Sequence, residues 1–306
     1  MNSADSSAGP LVVVSAGDLS GDLHASYLVE RLRDEWKSRH PVEPQLRFAA
    51  AGSYHLKNAG VEIWEDTTFW GAMGIFEGIK ILPALLFAKR RMINRIRKEK
   101  PEIVIPVDYR SFNMSLLKDI RVRRDGTKQK IAYYISPVLW GKPKTNTGRK
   151  AVEGMVEVAR KLPGGKGARD RFDALAELAD LALVAYPFSL EHYRRAGVNF
   201  RYIGHPLAQI AREIAKQEKY LSIYKEKIQD KRLVGIAPGS RVHELNYHMP
   251  VLRELLTLLK QRYDNLWFYC PVPGEKLEKL IRKGFGEHAD SIEFVPDDCY
   301  DLMESS

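Results

Sequence analysis

Residues 11–22 read LVVVSAGDLSGD. An apolar, mostly β-branched run (Leu11, Val12, Val13, Val14) comes first, then small and acidic residues, and an amphipathic run begins at Leu23. This is the pattern of a buried parallel strand, a tight glycine turn and a helix start. In an α/β sheet such a turn aims backbone N–H groups and the positive end of a helix dipole into the crevice above the strand ends, where ligands bind. Asp18, Ser20 and Asp22 lie in the turn, so it is not a bare phosphate cradle. Carboxylates there suit sugar hydroxyls or proton transfer, and each also suits a helix cap, Asp22 being well placed as an N-cap.

The pattern repeats outward. Apolar strand-like runs at 46–51, 103–107, 131–135, 179–185 and 200–203 alternate with helical spacing, as at Leu23, Leu28, Leu32 and Trp36. Polar residues stand at the strand ends. This predicts a parallel, doubly wound sheet with its site along one edge. Gly204-His205-Pro206 breaks the pattern, so residues 1–205 are expected to form one Rossmann-like domain. A second begins in 206–306, with strands at 233–237, 266–270 and 292–295. Its first turn is Pro238-Gly239-Ser240-Arg241, and Leu252, Leu255, Leu256 and Leu259 mark the helix after it. Residues 299–306 read as the start of another helix, which leaves the second domain truncated. Within the first domain, 141–176 reads as a basic insertion containing LPGGKG, with a short helix expected at 151–161.

The chain of 306 residues carries 48 Lys and Arg against 39 Asp and Glu, a net charge of +9, and 44% hydrophobic residues. The apolar fraction excludes a disordered chain. The charge favours an anionic partner: nucleic acid, acidic lipid or a phosphorylated substrate. The basic segments lack interleaved aromatics and a recognition motif, which argues against nucleic acid. Cys270 and Cys299 have no metal or redox spacing and are expected to be reduced packing residues. The longest apolar run, 81–88, falls well short of the roughly 20 residues a transmembrane helix needs.

Three places could carry chemistry. Asp108 ends the 103–107 strand, where partial desolvation raises a carboxylate's pKa and suits a general base; a turn-stabilising role is the alternative. At 238–241 a glycine turn before a helix offers N–H donors, Ser240 adds a hydroxyl, and Arg241 adds a cation able to meet two phosphate oxygens. That set would hold a diphosphate leaving group, with Glu244 on the same helical face pairing with Arg241. Residues 69–88, FWGAMGIFEGIKILPALLFA, place Trp70, Met73, Phe76, Leu85 and Phe87 just before a basic stretch that opens Lys89, Arg90, Arg91. This is either a core helix feeding a solvated one or an apolar surface with a basic rim, which docks on anionic lipid. His24 and His205 read as packed or local structural groups.

GDLSGD with Leu23-His24, MGIFEG at 73–78, Asp108 with Phe112-Asn113, YYISPVLW at 133–140, GHPL at 204–207 and PGSRVHEL at 238–245 occur in the order found in the lipid-A-disaccharide synthase family, which the chain resembles over nearly its whole length apart from about 141–176. The resemblance implies a GT-B glycosyltransferase with two Rossmann-like domains. Such an enzyme joins UDP-2,3-diacylglucosamine to 2,3-diacylglucosamine 1-phosphate with inversion and releases UDP. It works without metal or cofactor, peripherally on the inner face of the bacterial inner membrane, and as a homodimer when complete. It also implies roles. Asp108 matches the catalytic aspartate, and Asp18, Ser20, Gly21, Asn113, Ser136 and His205 fall on the substrate side. Gly239, Ser240, Arg241 and Glu244 fall at the donor diphosphate. The 69–88 stretch, with Arg90 and Arg91, falls at the lipid.

The departures are specific. The family's usual Glu in the first loop is Asp18, its second Asp after the Asp108 position is Ser111, and its Trp-Ala-Trp is Trp140-Gly141-Lys142. The family also continues with a Ser-Gly-Thr-rich turn that binds UDP. A second reading is therefore a non-catalytic remnant that binds acidic lipid or nucleotide-sugar. A sugar-nucleotide epimerase of similar fold is a third, and the lipid-facing aromatic stretch argues against it.

Overall fold

A computed structural model describes residues 9–71, 75–137, 171–214 and 218–306. The chain opens with β1 (Leu11–Ala16), α1 (Leu19–Arg39), β2 (Arg47–Gly52), α2 (Tyr54–Asn58), β3 (Glu62–Asp66) and α3 (Ile75–Glu99). It continues with β4 (Ile103–Val107), α4 (Arg110–Ile120), β5 (Lys130–Tyr134), α5 (Arg171–Leu178), β6 (Leu181–Val184), α6 (Leu190–Arg195) and β7 (Phe200–Tyr202). These strands form one seven-stranded parallel sheet in the order β3-β2-β1-β4-β5-β6-β7.

The opening stretch explains the layering. All six residues of β1 are buried, which requires cover on both faces. Leu11 and Val13 point into a core formed with Met92 and Ile96 of α3, Leu116 and Leu117 of α4, and Leu175 of α5. Val12, Val14 and Ala16 point the other way, against Ala25 and Val29 of α1. The period of two in the pleat thus sends alternate side chains to two separate cores.

After α7 (Leu207–Ile214), α8 (Lys219–Ile223) and α9 (Lys225–Ile228), a second parallel sheet is built from β8 (Arg232–Gly235), β9 (Leu266–Val272) and β10 (Ile292–Pro296), in the order β10-β9-β8. One face is covered by α10 (Val242–Arg262) and α11 (Glu275–Phe285) through Leu245, Met249, Leu256, Leu277, Ile281 and Phe285. On the other face Tyr220 of α8 and Leu302 of α12 (Tyr300–Glu304) pack against Trp267 and Tyr269. Cys270 and Cys299 are buried and free, and burial pushes both thiols up to about 12.

The two sheets touch through a few well-defined contacts. Leu19, at the start of α1, packs in the core of the second sheet. His55 meets Asp297 at 3.0 Å, and Lys276 pairs with Asp66.

Two expectations change. The basic insertion does not reach residue 176, because Arg171–Leu178 is a helix that buries Leu175 and Leu178. Its remainder, the expected 151–161 helix and Trp140-Gly141-Lys142 lie outside the described residues. Asp22 does not cap its own helix; Asp18 does, accepting the Gly21 N–H at 2.8 Å. Asp22 instead reaches α2, accepting the N–H groups of Ser53 at 2.6 Å and His55 at 2.8 Å. Its carboxyl is raised by burial, which outweighs those hydrogen bonds.

Candidate active site

The order of the seven-stranded sheet reverses between β1 and β4, and a crevice opens above the strand ends at such a reversal. Ala16 and Val107 are register partners there. The residues that follow, Gly17-Asp18 and Asp108-Tyr109, therefore leave the sheet side by side.

The second of these turns is strained. Asp108 has φ 41° and Tyr109 φ 21°, both in the region that favours glycine. Such conformations persist only where the surroundings over-determine them, and they cluster at working sites. Here the backbone of Asp108 is held from three sides. Its N–H donates to Tyr134 O at 3.1 Å. Its carbonyl accepts from Tyr133 Oη at 2.6 Å and from Asn113 Nδ2 at 3.2 Å. Asn113 also donates to Ser15 O at 3.2 Å and Val107 O at 3.1 Å, and accepts from Ser15 Oγ at 2.7 Å. It is fully buried and its polar atoms are all engaged inside the protein. The expectation that Asn113 touches substrate is corrected: it ties the ends of β1 and β4 together.

Tyr109 folds back over the first turn. A Cβ on Gly17 would lie 1.9 Å from Tyr109 Cδ1, so only glycine fits beneath the ring. Tyr109 Oη donates to Trp70 O at 2.8 Å. Trp70 is itself 8% exposed and packs on Phe112 with ring centroids 4.7 Å apart. It belongs to the core, so its assignment to a lipid-facing surface is corrected.

The Asp108 carboxyl faces the crevice. It is open to solvent, yet protein surrounds it on most sides, and its pKa is pushed up to about 6. Desolvation is the largest cause, the negative charge of Asp18 adds to it, and Arg241 opposes it. Asp18, Asp108 and Arg241 are thus brought together, the last from the second sheet. Arg241 Nη2 lies 3.6 Å from Asp18 Oδ2, and its side-chain stem runs over Gly71.

At the 238–241 turn Glu244 pairs with Arg241 as expected, but it also takes the N–H donors expected for a diphosphate. One carboxylate oxygen accepts the N–H groups of Ser240 at 3.1 Å and Arg241 at 3.2 Å, and the other accepts from Arg241 Nη1 at 2.9 Å. Gly239 has φ 113°, and a Cβ there would lie 2.7 Å from Glu244 Oε2. His248 Nδ1 meets Pro238 O at 2.7 Å and fixes the turn from the far side. Ser240 keeps its side chain exposed.

The other expected site residues divide. Ser20 is exposed beside Asp18, donating to its Oδ1 at 3.1 Å. Gly21 is buried and its N–H goes to Asp18, so it offers no donor to a ligand. Ser136 is buried at the end of β5. His205 accepts the Leu207 N–H at 3.2 Å and packs on His24 and Tyr186, with centroids 5.2 and 5.4 Å away. His24 is buried and its pKa is lowered to about 4, first by desolvation and then by His205. Tyr109, Tyr133 and His248 were missed; no short motif distinguishes a turn-holding tyrosine from a core one.

On α3 the expected lipid-facing residues also divide. Phe87 is 65% exposed, while Leu85 packs against the core. Arg90 is exposed, and Arg91 pairs with Glu65 at 2.5 Å. Leu82 and Leu86, not singled out from sequence, are 43% and 55% exposed and share one helical face. Met73 lies outside the described residues, as does the side chain of Phe76. Among the described residues no helix is long and apolar enough to cross a membrane, and no cluster of three or more His, Cys, Asp or Glu could hold a metal ion.

Two Rossmann-like sheets, with acidic groups on one side and an Arg-bearing glycine turn on the other, define an α/β protein of the GT-B type, the architecture of nucleotide-sugar glycosyltransferases and epimerases. The chain belongs to the lipid-A-disaccharide synthetase family, whose model matches residues 12–153 and 168–305. The family is one of glycosyltransferases that act in lipid A disaccharide synthesis. The chain is 29% identical over 295 residues to the lipid-A-disaccharide synthase of Geobacter metallireducens, covering 96% of this chain and 67% of that protein. It is 28% identical over 295 residues to lipid-A-disaccharide synthase 1 of Legionella pneumophila strain Paris, with the same coverage. The chain thus spans about two thirds of the length of these relatives. Among solved structures, UDP-GlcNAc 2-epimerase from Neisseria meningitidis bound to UDP-GlcNAc matches with TM-score 0.55 at 11% identity, covering 97% of this chain and 75% of that one. The Methanocaldococcus jannaschii UDP-GlcNAc 2-epimerase, in complex with UDP-GlcNAc and UDP, matches with TM-score 0.51 at 8% identity, covering 96% and 76%. At such identities these share the fold.

Proposed function

We propose that the chain catalyses inverting transfer from UDP-2,3-diacylglucosamine to 2,3-diacylglucosamine 1-phosphate, giving the disaccharide 1-phosphate and UDP. Asp108 carries the reading. A carboxyl with a pKa near 6 is ionised at neutral pH, yet it is a stronger base than a solvated aspartate. It would take the proton of the acceptor 6-hydroxyl as that oxygen forms its bond to the donor's anomeric carbon. The bond from that carbon to the diphosphate oxygen breaks, and UDP leaves with the electron pair. Arg241 and the Ser240 hydroxyl would stabilise the charge that develops on the diphosphate. Asp18 and Ser20 would orient the acceptor.

The test is transfer by the chain and by Asp108→Asn. The variant should lose about 10²–10⁴ in kcat; full activity would remove Asp108 as the base. One observation favours a second reading, binding without transfer: Glu244 already takes the turn's N–H donors, which would otherwise stabilise the departing diphosphate. Binding of UDP-sugar with no transfer would decide for it.

We also place the chain on the cytoplasmic face of an anionic inner membrane. Support comes from the exposed Leu82, Leu86 and Phe87 beside exposed Arg90. Leu86→Ser/Phe87→Ser should weaken sedimentation with vesicles of phosphatidylglycerol and phosphatidylethanolamine, and unchanged sedimentation would remove this face.

A further inference from the structure

A cavity of about 390 Å³ opens at the other end of the first sheet from the Asp108 cleft. It precedes β4, whose five residues span about 16 Å between the two. Its floor is apolar: Ile96 from the end of α3, Ile120 from the end of α4, and the exposed Val122. Its walls carry Arg97, Lys100, Arg123 and Arg124 against one carboxylate, Asp125.

Basic residues at helix C-termini are ordinary, because they offset the negative end of the helix dipole. That accounts for Arg97, which donates to Asp119 O at 3.0 Å. It does not account for the whole set. Four cations and one carboxylate leave a formal charge of +3, and two helix ends cancel only about half a charge each. An excess of roughly +2 remains.

Two of the cations come from a hairpin rather than a helix. Val122 and Lys128 form an antiparallel bridge, Arg123 N donates to Thr127 O at 2.8 Å, and Gly126 takes φ 82° at the tip. Asp125 is occupied inside this hairpin, accepting from Thr127 N at 3.0 Å and Thr127 Oγ1 at 2.6 Å. Arg123 is aimed by neutral partners, donating to Pro101 O at 2.6 Å and Gln129 Oε1 at 3.0 Å. Its position is therefore set without an ion pair, although the Asp125 charge is near enough to be favoured by Lys100 and Arg123. Lys100 sits at φ 49°, in the helix-ending position that usually takes glycine. Among the described residues, none of the four cations pairs with a carboxylate.

We propose that this cavity binds a phosphate group carried on an apolar body. The uncompensated charge meets a phosphomonoester dianion, and Ile96, Ile120 and Val122 meet the chain attached to it. The site is separate from the transfer cleft and does not depend on the function proposed for it.

Calorimetric titration of the 306-residue chain tests this with three probes: dihexanoyl-phosphatidic acid below its micelle concentration, dihexanoyl-phosphatidylcholine, and inorganic phosphate. Phosphatidic acid should bind at least about tenfold more tightly than phosphatidylcholine. Arg124→Glu, which breaks no hydrogen bond of the hairpin, and Val122→Asp should each weaken it by about tenfold. Arg194→Glu/Arg195→Glu, a larger charge change on α6, should leave it intact. Phosphatidic acid binding more tightly than inorganic phosphate marks a lipid source. Equal affinity for inorganic phosphate and phosphatidic acid would show that Ile96, Ile120 and Val122 meet no attached chain, and would overturn the proposal. Binding unchanged in both Arg124→Glu and Val122→Asp, or lost only on Arg241→Glu, would place the ligand elsewhere and overturn the proposal.

Discussion

Asn113→Ala is expected to loosen the Asp108 turn at a calculable cost. The amide's orientation follows from its neighbours: Oδ1 faces a hydroxyl at 2.7 Å, and Nδ2 faces three carbonyl oxygens at 3.1 to 3.2 Å. One NH₂ has two hydrogens, so the three carbonyls share about two full bonds. With the bond from Ser15, about three are lost, at roughly 1 kcal/mol each. The Ser15 hydroxyl is left buried and unpaired, which adds about 1 kcal/mol more. Against this, Asp108 and Tyr109 can relax from their positive φ values, returning about 1–2 kcal/mol of strain. The net loss should be about 2–3 kcal/mol in urea unfolding of the chain. Ser15→Ala/Asn113→Ala should cost about 2–3 kcal/mol less than the sum of the single changes, because their shared bond is lost in each single change and neither partner is then stranded. Hydrogen exchange at residues 107–110 should quicken in Asn113→Ala. Stability within about 0.5 kcal/mol of the parent, with exchange at 107–110 unchanged, would show that Tyr133 and the strand ladder hold the turn without Asn113.

Gly17→Ala should cost about 1–3 kcal/mol in the same assay, since its Cβ would lie 1.9 Å from the Tyr109 ring; Tyr109→Ala in the same chain should recover most of it. Asp18→Asn removes a charge that helps hold Asp108 at about 6, so the Asp108 carboxyl should titrate lower, read by its ¹³C shift against pH. For His55, burial is the largest single effect and opposes the charge, but the hydrogen bond to Asp297 and the charges of Asp297, Asp22 and Asp298 together outweigh it, and the net direction is up from 6.5. A raised histidine stabilises the folded chain fully below pH 6.5 and loses that contribution as pH rises through the folded value. The melting-temperature gap between the parent and His55→Gln should therefore be present at pH 6 and shrink as the pH rises above 6.5; a gap that widens with pH would contradict the pairing.

The strand–turn–helix starts were legible because their signal is local. A β-branched run followed by a turn and a polar helix start reads the same wherever it falls: β1 and β8 lead into glycine turns, and β4 leads into Asp108. The side on which a residue ends up was less legible. Trp70 and Phe87 look alike in a stretch of aromatics and glycines, yet Trp70, in the turn after β3, is tied by Tyr109 and packs on Phe112, while Phe87 faces solvent from α3. Asn113 follows an aspartate-bearing strand end, where a ligand contact and a structural tie share the same residue type. Only the Ser15 hydroxyl, 98 residues away in the chain, separates the two roles.

The donor-side turn shows the same limit and refines its chemistry. Pro238-Gly239-Ser240-Arg241 has the composition of an anion site, and it does hold an anion, that of Glu244. The chain supplies its own carboxylate to the N–H pair and to Arg241, and Arg241 also lies near Asp18. An incoming diphosphate at this turn must therefore do more than fill an empty cradle. It must displace Glu244 from two N–H groups at 3.1 and 3.2 Å, or approach through the exposed Ser240 side chain and the Arg241 edge that faces Asp18. Displacement exchanges one negative charge for two near the same guanidinium, a net Coulombic gain, and leaves Glu244 to find solvent. Approach from the Asp18 side would draw Arg241 off Asp18 and strengthen that carboxylate's influence on Asp108. The first route predicts that Glu244→Gln binds UDP-sugar more tightly than the parent. The second predicts no tightening, with the Asp108 titration shifting upward once donor is bound.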